Sequence, residues 1–143
     1  MSARSRDLPR RSCLSTPGSN EKFLAKAPTV PADMTFLDLE DAVAPLEKES
    51  ARPKVVDAIK NLPWDERVLC VRVNAWDTEW TYGDVIEVVG NAGERLDEVM
   101  LPKVQSAAEV KEDLGKVPAG QNALLLIWSN GGNSFRVLHP MQG

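Results

Sequence analysis

Phe36-Leu37-Asp38-Leu39-Glu40-Asp41 is the stretch that decides the fold, and two similar stretches follow it, Val68-Leu69-Cys70-Val71-Arg72-Val73-Asn74 and Val99-Met100-Leu101-Pro102-Lys103-Val104. Each is a short apolar run that ends in polar or charged residues, and the three recur about 30 residues apart. The segments between them show helical periodicity. Strands and helices that alternate at this interval are typical of parallel β/α units. The sequence therefore predicts an α/β fold built on a parallel sheet.

The number of these units predicts an incomplete barrel. A complete eight-stranded β/α barrel needs roughly 250 residues, and this chain has 143. We expect a parallel β/α barrel of the TIM type, incomplete, with about five strands and four helices. The predicted strands lie at 11–16, 34–39, 67–73, 98–103 and 123–128. The predicted domains are a frayed N-terminus at 1–9, the N-terminal half of a barrel at 10–128, and an irregular, divergent tail at 129–143.

Helix boundaries follow from proline and capping residues. Pro53 lies inside the second helical segment, so either that helix begins near Pro53 or it is kinked there. Thr81 or Asp84 is predicted to cap the third helix. Ser106 and Glu109 have the spacing of a capping box and predict a fourth helix after the fourth strand.

Composition restricts the classes of function. The chain is 43% hydrophobic and 27% charged, with a net charge of -4 and a pI near 5.1. Nucleic-acid-binding domains are normally basic, and no apolar run approaches the ~20 residues that span a bilayer. Cys13 and Cys70 lack metal-type spacing and are interpreted as reduced core residues. We expect a cytoplasmic protein that binds neither nucleic acid nor a membrane.

Charged residues at the strand ends are the candidates for chemistry, because in β/α barrels the active site lies where strands end and loops begin. Arg72 can hold a substrate carboxylate with a two-pronged hydrogen bond, or it can form an internal ion pair with Glu40 or Asp41. Glu40 and Asp41 can ligate Mg²⁺, orient an arginine or take a proton, or they can be ordinary polar loop residues. Lys103 can neutralise an anionic substrate or pair with a carboxylate. The pattern favours a site for an anionic substrate.

Four motifs, in order and with matching spacing, resemble the citrate lyase β-subunit and malyl-CoA lyase family, the HpcH/HpaI aldolase group. The motifs are Arg11-Ser12 through Pro17-Gly18-Ser19, Leu37-Asp38-Leu39-Glu40-Asp41-Ala42-Val43, Val71-Arg72-Val73-Asn74 and Met100-Leu101-Pro102-Lys103-Val104. The resemblance covers roughly residues 10–118. Residues 76–110 are most similar to the malyl-CoA lyase side of the group.

The resemblance implies a β/α barrel that binds Mg²⁺ and cleaves or forms a carbon–carbon bond in a 3-hydroxyacyl-CoA thioester, with acetyl-CoA and a 2-oxo acid as products. It implies that Arg72 and Arg11 bind the substrate carboxylate, and that Glu40 and Asp41 form the acidic loop near the metal, where they support its ligands or hold water. Arg72, Glu40 and Asp41 are the expected catalytic residues. Lys103 is a further candidate for substrate binding. The full-length family is expected to form homo-oligomers.

The sequence also departs from the family pattern. The family's two Mg²⁺ ligands are a glutamate after strand five, in an Ile-Glu-Thr-type motif, and an aspartate after strand six. Here the fifth strand reads Leu125-Leu126-Ile127-Trp128-Ser129-Asn130, with no glutamate, and no sixth β/α unit is predicted. We therefore expect no metal ligand in this chain and no lyase activity from the chain alone. The alternative is a non-catalytic module that binds CoA or a carboxylate, or that assembles with another half-barrel.

Overall fold

The structure, a computed structural model, describes residues 8–64, 67–104, 123–129 and 132–138. Its centre is one six-stranded sheet in which the strands lie in chain order. The strands are β1 (Cys13–Pro17), β2 (Met34–Asp38), β3 (Val68–Arg72), β4 (Glu98–Leu101), β5 (Ala123–Ser129) and β6 (Gly132–Leu138). Strands β1 to β5 are parallel. The predicted α/β fold with a parallel sheet is thus confirmed. That the sheet is part of an incomplete TIM-type barrel stays a prediction, since β1 and β6 are edge strands of the described sheet.

Strand β6 corrects the prediction of an irregular tail at 129–143. It runs antiparallel to β5, and Ser129 pairs with Gly132, so only Asn130-Gly131 separates the two strands. Asn-Gly is the dipeptide that most favours a two-residue hairpin turn, and so short a connection allows antiparallel pairing only. The prediction recognised the turn-forming residues but did not continue the chain into a second strand.

Three helical regions are described. Their bounds are α1 (Glu21–Lys26) with a 3₁₀ turn (Ala27–Thr29); a 3₁₀ turn (Pro45–Glu47) leading into α2 (Lys48–Asn61); and α3 (Thr81–Gly83), a π-helical stretch (Asp84–Val89), α4 (Gly90–Ala92) and a 3₁₀ turn (Gly93–Arg95). Asn20 caps α1, because its side-chain oxygen accepts the backbone N–H groups of Lys22 and Phe23. The predicted start of the second helix near Pro53 is wrong, since α2 begins five residues earlier, directly after the 3₁₀ turn. The predicted capping box at Ser106 and Glu109, with its helix, lies outside the described residues.

The two faces of the sheet are both covered, which explains why the strands read as nearly continuous apolar runs. Alternate residues of β2 and β3 turn toward the helices and form the main core with α2. The opposite, inner face carries a smaller cluster of Met34, Val68, Cys70 and Met100. Cys70 is a buried core residue as predicted, whereas Cys13 is exposed, so its assignment to the core was wrong. No helix in the described ranges has the length and apolar character needed to cross a membrane.

Gly18 sets how closely β1 approaches the end of β2, and we predict that Gly18→Ala destabilises the protein. The backbone N–H of Gly18 donates to the carbonyl of Asp38 at 2.8 Å. A Cβ at Gly18 would lie 2.7 Å from Val55 Cγ2 and 2.8 Å from that same carbonyl oxygen. Because a backbone and a packed helix must both move, we expect a loss of about 1–3 kcal/mol in the free energy of unfolding, measured by urea denaturation.

Gly90→Ala is the matched control for Gly18→Ala. Gly90 is helical and exposed, and the nearest atom to an added Cβ is 4.0 Å away. Alanine is favoured over glycine in a helix by up to about 1 kcal/mol, so this variant should be at least as stable as the wild type. Equal stability of the two variants would contradict the packing argument.

Candidate active site at the carboxyl ends of the strands

Four of the five residues singled out from the sequence lie together at the carboxyl edge of the sheet. Arg72 Nη1 is 3.5 Å from Glu40 Oε2 and 3.7 Å from Asp41 Oδ2. Lys103 Nζ is 3.0 Å from Glu40 Oε1 and 3.2 Å from Asp41 Oδ1. The loop after β2, the last residue of β3 and the loop after β4 each contribute to this group, because the carboxyl ends of parallel strands share one edge. We call Glu40, Asp41, Arg72 and Lys103 the rim cluster.

Arg11 is not part of the rim cluster. It precedes β1 and therefore lies at the amino ends of the strands, the opposite edge of the sheet. Its guanidinium pairs with Asp33, which precedes β2, with Nε 2.9 Å from Oδ2 and Nη2 2.9 Å from Oδ1. The Arg11 side chain is 80% exposed. The structure thus does not bring together the two arginines that the resemblance assigned to the substrate carboxylate.

Asp38 is the site residue that the sequence analysis missed. It is fully buried, and its carboxylate receives Nε of Arg72 at 2.8 Å and Nη2 at 2.6 Å. Backbone N–H groups of Glu40 and Ala42 also donate to it. Burial, the largest effect, would raise the pKa of Asp38, but the hydrogen bonds and the guanidinium charge together lower it below its ordinary value. Asp38 is thus an ionised anchor that holds both Arg72 and the acidic loop.

The strand register explains why Asp38 and Arg72 meet. The two residues are direct neighbours across β2 and β3, so both side chains leave the same face of the sheet. The sequence contained evidence for this shared face, because side chains two residues apart in a strand lie on the same side. Asp38 is in phase with Met34 and Phe36 of β2. Arg72 is in phase with Val68 and Cys70 of β3. Alternation would have placed both charges on the inner face, although only the register makes them partners.

The pairing with Asp38 leaves one edge of the Arg72 guanidinium for a ligand. Asp38 occupies the edge formed by Nε and Nη2, and Nη1 donates no hydrogen bond to any described residue. The guanidinium carbon lies 5.3 Å from the centre of the Phe36 ring, which supports the plane from the inner face. The predicted alternative, an internal ion pair of Arg72 with Glu40 or Asp41, is confirmed, with distances of 3.5 and 3.7 Å. The main partner of Arg72 is nevertheless Asp38, at 2.6 Å. A two-pronged contact to a carboxylate remains possible at the Nη1–Nη2 end.

Glu40 is buried beside the rim cluster without a hydrogen bond to its carboxylate. It is 5% exposed, and neither oxygen accepts a hydrogen bond from the described residues. The 3.0 Å contact with Lys103 is therefore an ion pair without hydrogen-bond geometry. Burial raises the pKa of Glu40 above its ordinary value, although Lys103 and Arg72 oppose the change. Glu40 is thus a buried carboxylate with a raised proton affinity, paired with the cations of Arg72 and Lys103.

The raised pKa of Glu40 predicts a pH-dependent effect of Glu40→Gln. An acid whose pKa is raised on folding favours the folded state below its unfolded pKa, about 4.3, and this contribution is lost as the pH rises through the folded pKa. The free energy of unfolding of the variant, minus that of the wild type, should therefore increase between pH 4 and pH 7. Denaturant titrations across this range measure it, and Glu47→Gln, which removes the same charge from an exposed side chain, reports the effect of net charge. A difference that falls with pH would contradict the argument.

Lys103 reaches the rim cluster through an unusual backbone conformation. Its φ is 55°, in the left-handed region that residues other than glycine seldom adopt. Its ammonium hydrogen-bonds to Asp41 Oδ1, and pairing with Glu40 and Asp41 raises the pKa of Lys103. Such conformations concentrate at functional sites, where the surrounding structure holds them.

The loop after β3 is held from below by a buried carboxylate. Asp84 Oδ2 accepts the backbone N–H of Asn74 at 2.8 Å and its side-chain N–H at 2.7 Å. The prediction that Thr81 or Asp84 caps the third helix is wrong, since neither makes a capping hydrogen bond there. Thr81 instead donates back to the carbonyl oxygens of the same loop. Both residues fix the course of the chain directly after Arg72.

Known proteins are similar to this chain in sequence and in fold. The sequence profile of the HpcH/HpaI aldolase/citrate lyase family matches residues 11–115. The chain belongs to this family. It is 44% identical over 102 residues to the L-malyl-CoA/β-methylmalyl-CoA lyase of Cereibacter sphaeroides, covering 71% of this chain and 32% of that enzyme. It is 41% identical over 110 residues to a (3S)-malyl-CoA thioesterase of the same organism, covering 77% of this chain and 38% of that enzyme.

A solved relative extends the comparison to the fold. The citrate lyase β subunit of M. tuberculosis, complexed with oxaloacetate and magnesium, matches with a TM-score of 0.62 and 35% identity. The match covers 82% of this chain and 48% of that subunit. This family member therefore spans about a third of the length of the curated enzymes it matches and about half of the solved subunit.

The described residues do not fit a magnesium site of their own. No group of three acidic, histidine or cysteine side chains that could hold a metal occurs in the described ranges. Asp38 is committed to Arg72, and Glu40 and Asp41 face the cations of Arg72 and Lys103. A divalent cation among these groups would have to displace a positive charge. The carboxylates of the rim cluster are therefore paired with cations and do not form a site for Mg²⁺.

Proposed function

We propose that this chain forms the carboxylate-binding part of a carbon–carbon lyase site, which cleaves a 3-hydroxyacyl-CoA thioester into acetyl-CoA and a 2-oxo acid. The observation that carries the proposal is the Arg72 guanidinium. Asp38 holds one of its edges, whereas Nη1 on the other edge donates no hydrogen bond to a described residue and lies 3.5 Å from Glu40 Oε2. Lys103 supplies a second cation at the same rim. Relatives with lyase activity support the reaction class.

The chemistry assigned to the described residues is binding and proton transfer. Arg72 and Lys103 hold the carboxylate of the substrate and fix the carbon chain against the rim. Glu40 takes the proton of the 3-hydroxyl group on a carboxylate oxygen, so that this carbon becomes the carbonyl of the 2-oxo acid as the bond to its neighbour breaks. The electrons of that bond pass to the thioester as its enolate, whose carbon takes a proton from water to give acetyl-CoA, and Glu40 returns its proton to the solvent. Mg²⁺ remains an expectation for the family's complete site, and no step is assigned to it here.

We propose that the 143-residue chain alone has no lyase activity. The family's two metal ligands have no counterpart in this sequence, and the described residues form no metal group. Purified chain mixed with malyl-CoA or citryl-CoA and Mg²⁺ should release no acetyl-CoA above background. Turnover at ordinary enzyme rates, about 1 s⁻¹ or more, would overturn this proposal.

A non-catalytic module that binds a carboxylate is the second candidate. It is favoured by the two cations at the rim, Arg72 and Lys103, and by the lack of a metal-holding group among the described residues. Calorimetric titration with oxaloacetate separates the outcomes. Binding without turnover supports the anion-binding site in this chain. Absence of any heat with oxaloacetate or CoA would remove both ligand-binding versions of the proposal.

A further inference from the structure

The first turn of α2 places a buried ammonium beneath the acidic loop. Lys48 is 6% exposed, and its Nζ donates to the carbonyl oxygen of Leu39 at 3.0 Å and to that of Glu40 at 2.7 Å. The ammonium also lies 5.2 Å from the centre of the Trp80 ring, within the range of a cation–π contact. These three contacts fix a single side chain on the two residues that lead from β2 into the rim cluster.

Burial of this ammonium is costly, and its surroundings show how it stays in place. Desolvation lowers the pKa of Lys48, while the carboxylates that face it favour the charged form. Those carboxylates come from the helical region after β3 and from β2 with its loop; they are Asp84, Asp38, Glu40 and Asp41. An apolar side chain would fill the space without this cost. The two directed hydrogen bonds to carbonyls are what an apolar residue could not provide.

A second residue of α2, Arg52, holds Trp80 and Asp84, which lie near the Lys48 ammonium. Arg52, one turn further along, donates to the carbonyl of Trp80 at 3.0 Å and to Asp84 Oδ1 at 2.9 Å. Trp80 is thereby held under the Lys48 ammonium, and Asp84 holds the loop after Arg72. Helix α2 thus braces the loop after β2 through Lys48 and the chain after β3 through Arg52.

We propose that Lys48 is a positioning residue, which sets the Glu40 carboxylate against Arg72 and Lys103 by holding the backbone carbonyls of Leu39 and Glu40. It acts through Glu40 and does not touch the substrate. The role rests on the proposed function, since it concerns the same site.

Lys48→Met, Lys48→Gln and Lys48→Arg test the proposal, with Lys54→Met as the matched control. Lys54 lies on the same helix and donates to one backbone carbonyl, that of Ser19 in the loop after β1, which contributes no residue to the rim cluster. Oxaloacetate affinity of the purified chain is measured by calorimetry, and the backbone amide resonances of residues 40, 41 and 72–74 are recorded by NMR without ligand. Thermal denaturation identifies a temperature at which each variant is folded.

We expect Lys48→Met and Lys48→Gln to weaken oxaloacetate binding on the order of 10-fold or more and to shift the amide resonances of the rim loops. Lys48→Arg, which keeps a cation with several donors, should restore most of the affinity. Lys54→Met should bind as the wild type does. The proposal is overturned if folded Lys48→Met keeps the wild-type rim resonances, if Lys48→Arg binds no better than Lys48→Met, or if both neutral variants fail to fold. Absence of oxaloacetate binding by the wild type would instead contradict the proposed function, and the resonances would still decide the role of Lys48.

Discussion

Asp38→Ala is expected to lower the free energy of unfolding by about 3–5 kcal/mol, the loss typical of removing one partner from a buried ion pair. The variant leaves the Arg72 guanidinium largely buried without its carboxylate. It also leaves the backbone N–H groups of Glu40 and Ala42 without their acceptor. Urea denaturation at pH 7 measures the loss. Should Asp38→Ala fail to fold, Asp38→Asn, which keeps the shape and one acceptor, carries the same expectation with a smaller loss.

The acid pH dependence provides a second test of the same anchor. The pKa of Asp38 is lower in the folded protein than in the unfolded chain, so its contribution is present above the unfolded value of about 3.9 and is lost as the pH falls through the folded pKa. The difference in the free energy of unfolding between the wild type and Asp38→Ala should therefore become smaller as the pH falls below about 3.9. Asp33→Ala removes a carboxylate from the start of the same strand, where its partner Arg11 is exposed, and should cost much less. Equal losses for the two variants would contradict the assignment of Asp38 as the buried anchor.

Arg72→Lys is expected to weaken oxaloacetate binding on the order of 10- to 100-fold, because a lysine keeps the charge but loses the planar fork. The guanidinium of Arg72 donates to both oxygens of Asp38 from one edge and has a second edge for a ligand. A lysine ammonium is a point charge that cannot do both. Oxaloacetate should thus bind less tightly to Arg72→Lys, although the net charge of the chain is unchanged. Calorimetric titration of the 143-residue chain with oxaloacetate measures the change, with urea denaturation to establish that the variant is folded.

Arg11→Met is the control that separates the two arginines. Arg11 lies at the opposite edge of the sheet and pairs with Asp33, so its removal should leave oxaloacetate affinity unchanged. Lys103→Met should have an intermediate effect, since Lys103 is at the rim but exposed. A loss with Arg11→Met as large as that with Arg72→Lys would restore Arg11 to the site and contradict the placement of the site at the carboxyl edge.

Much of the fold could be predicted from the strands, because strands that are buried on both faces appear in the sequence as short continuous apolar runs. Five predicted strands correspond to β1–β5 within two residues at each end. The misses have local causes. The start of α2 was misjudged because the 3₁₀ turn before it prolongs the helical course upstream of Pro53. Strand β6 was missed because its first three residues, Gly132-Asn133-Ser134, are of turn-forming types and were interpreted as part of the turn cluster before them.

By itself the sequence determined that Glu40, Asp41, Arg72 and Lys103 share one edge, since each follows an apolar strand and the carboxyl ends of parallel strands lie side by side. The tertiary structure decided which charges become partners. The register set Asp38 beside Arg72, and the packing of α2 put Lys48 under the acidic loop. Contacts of this kind depend on lateral offsets between strands and on the placement of a helix over the sheet. Spacing along the chain does not fix either quantity, because both are set by how the whole core packs.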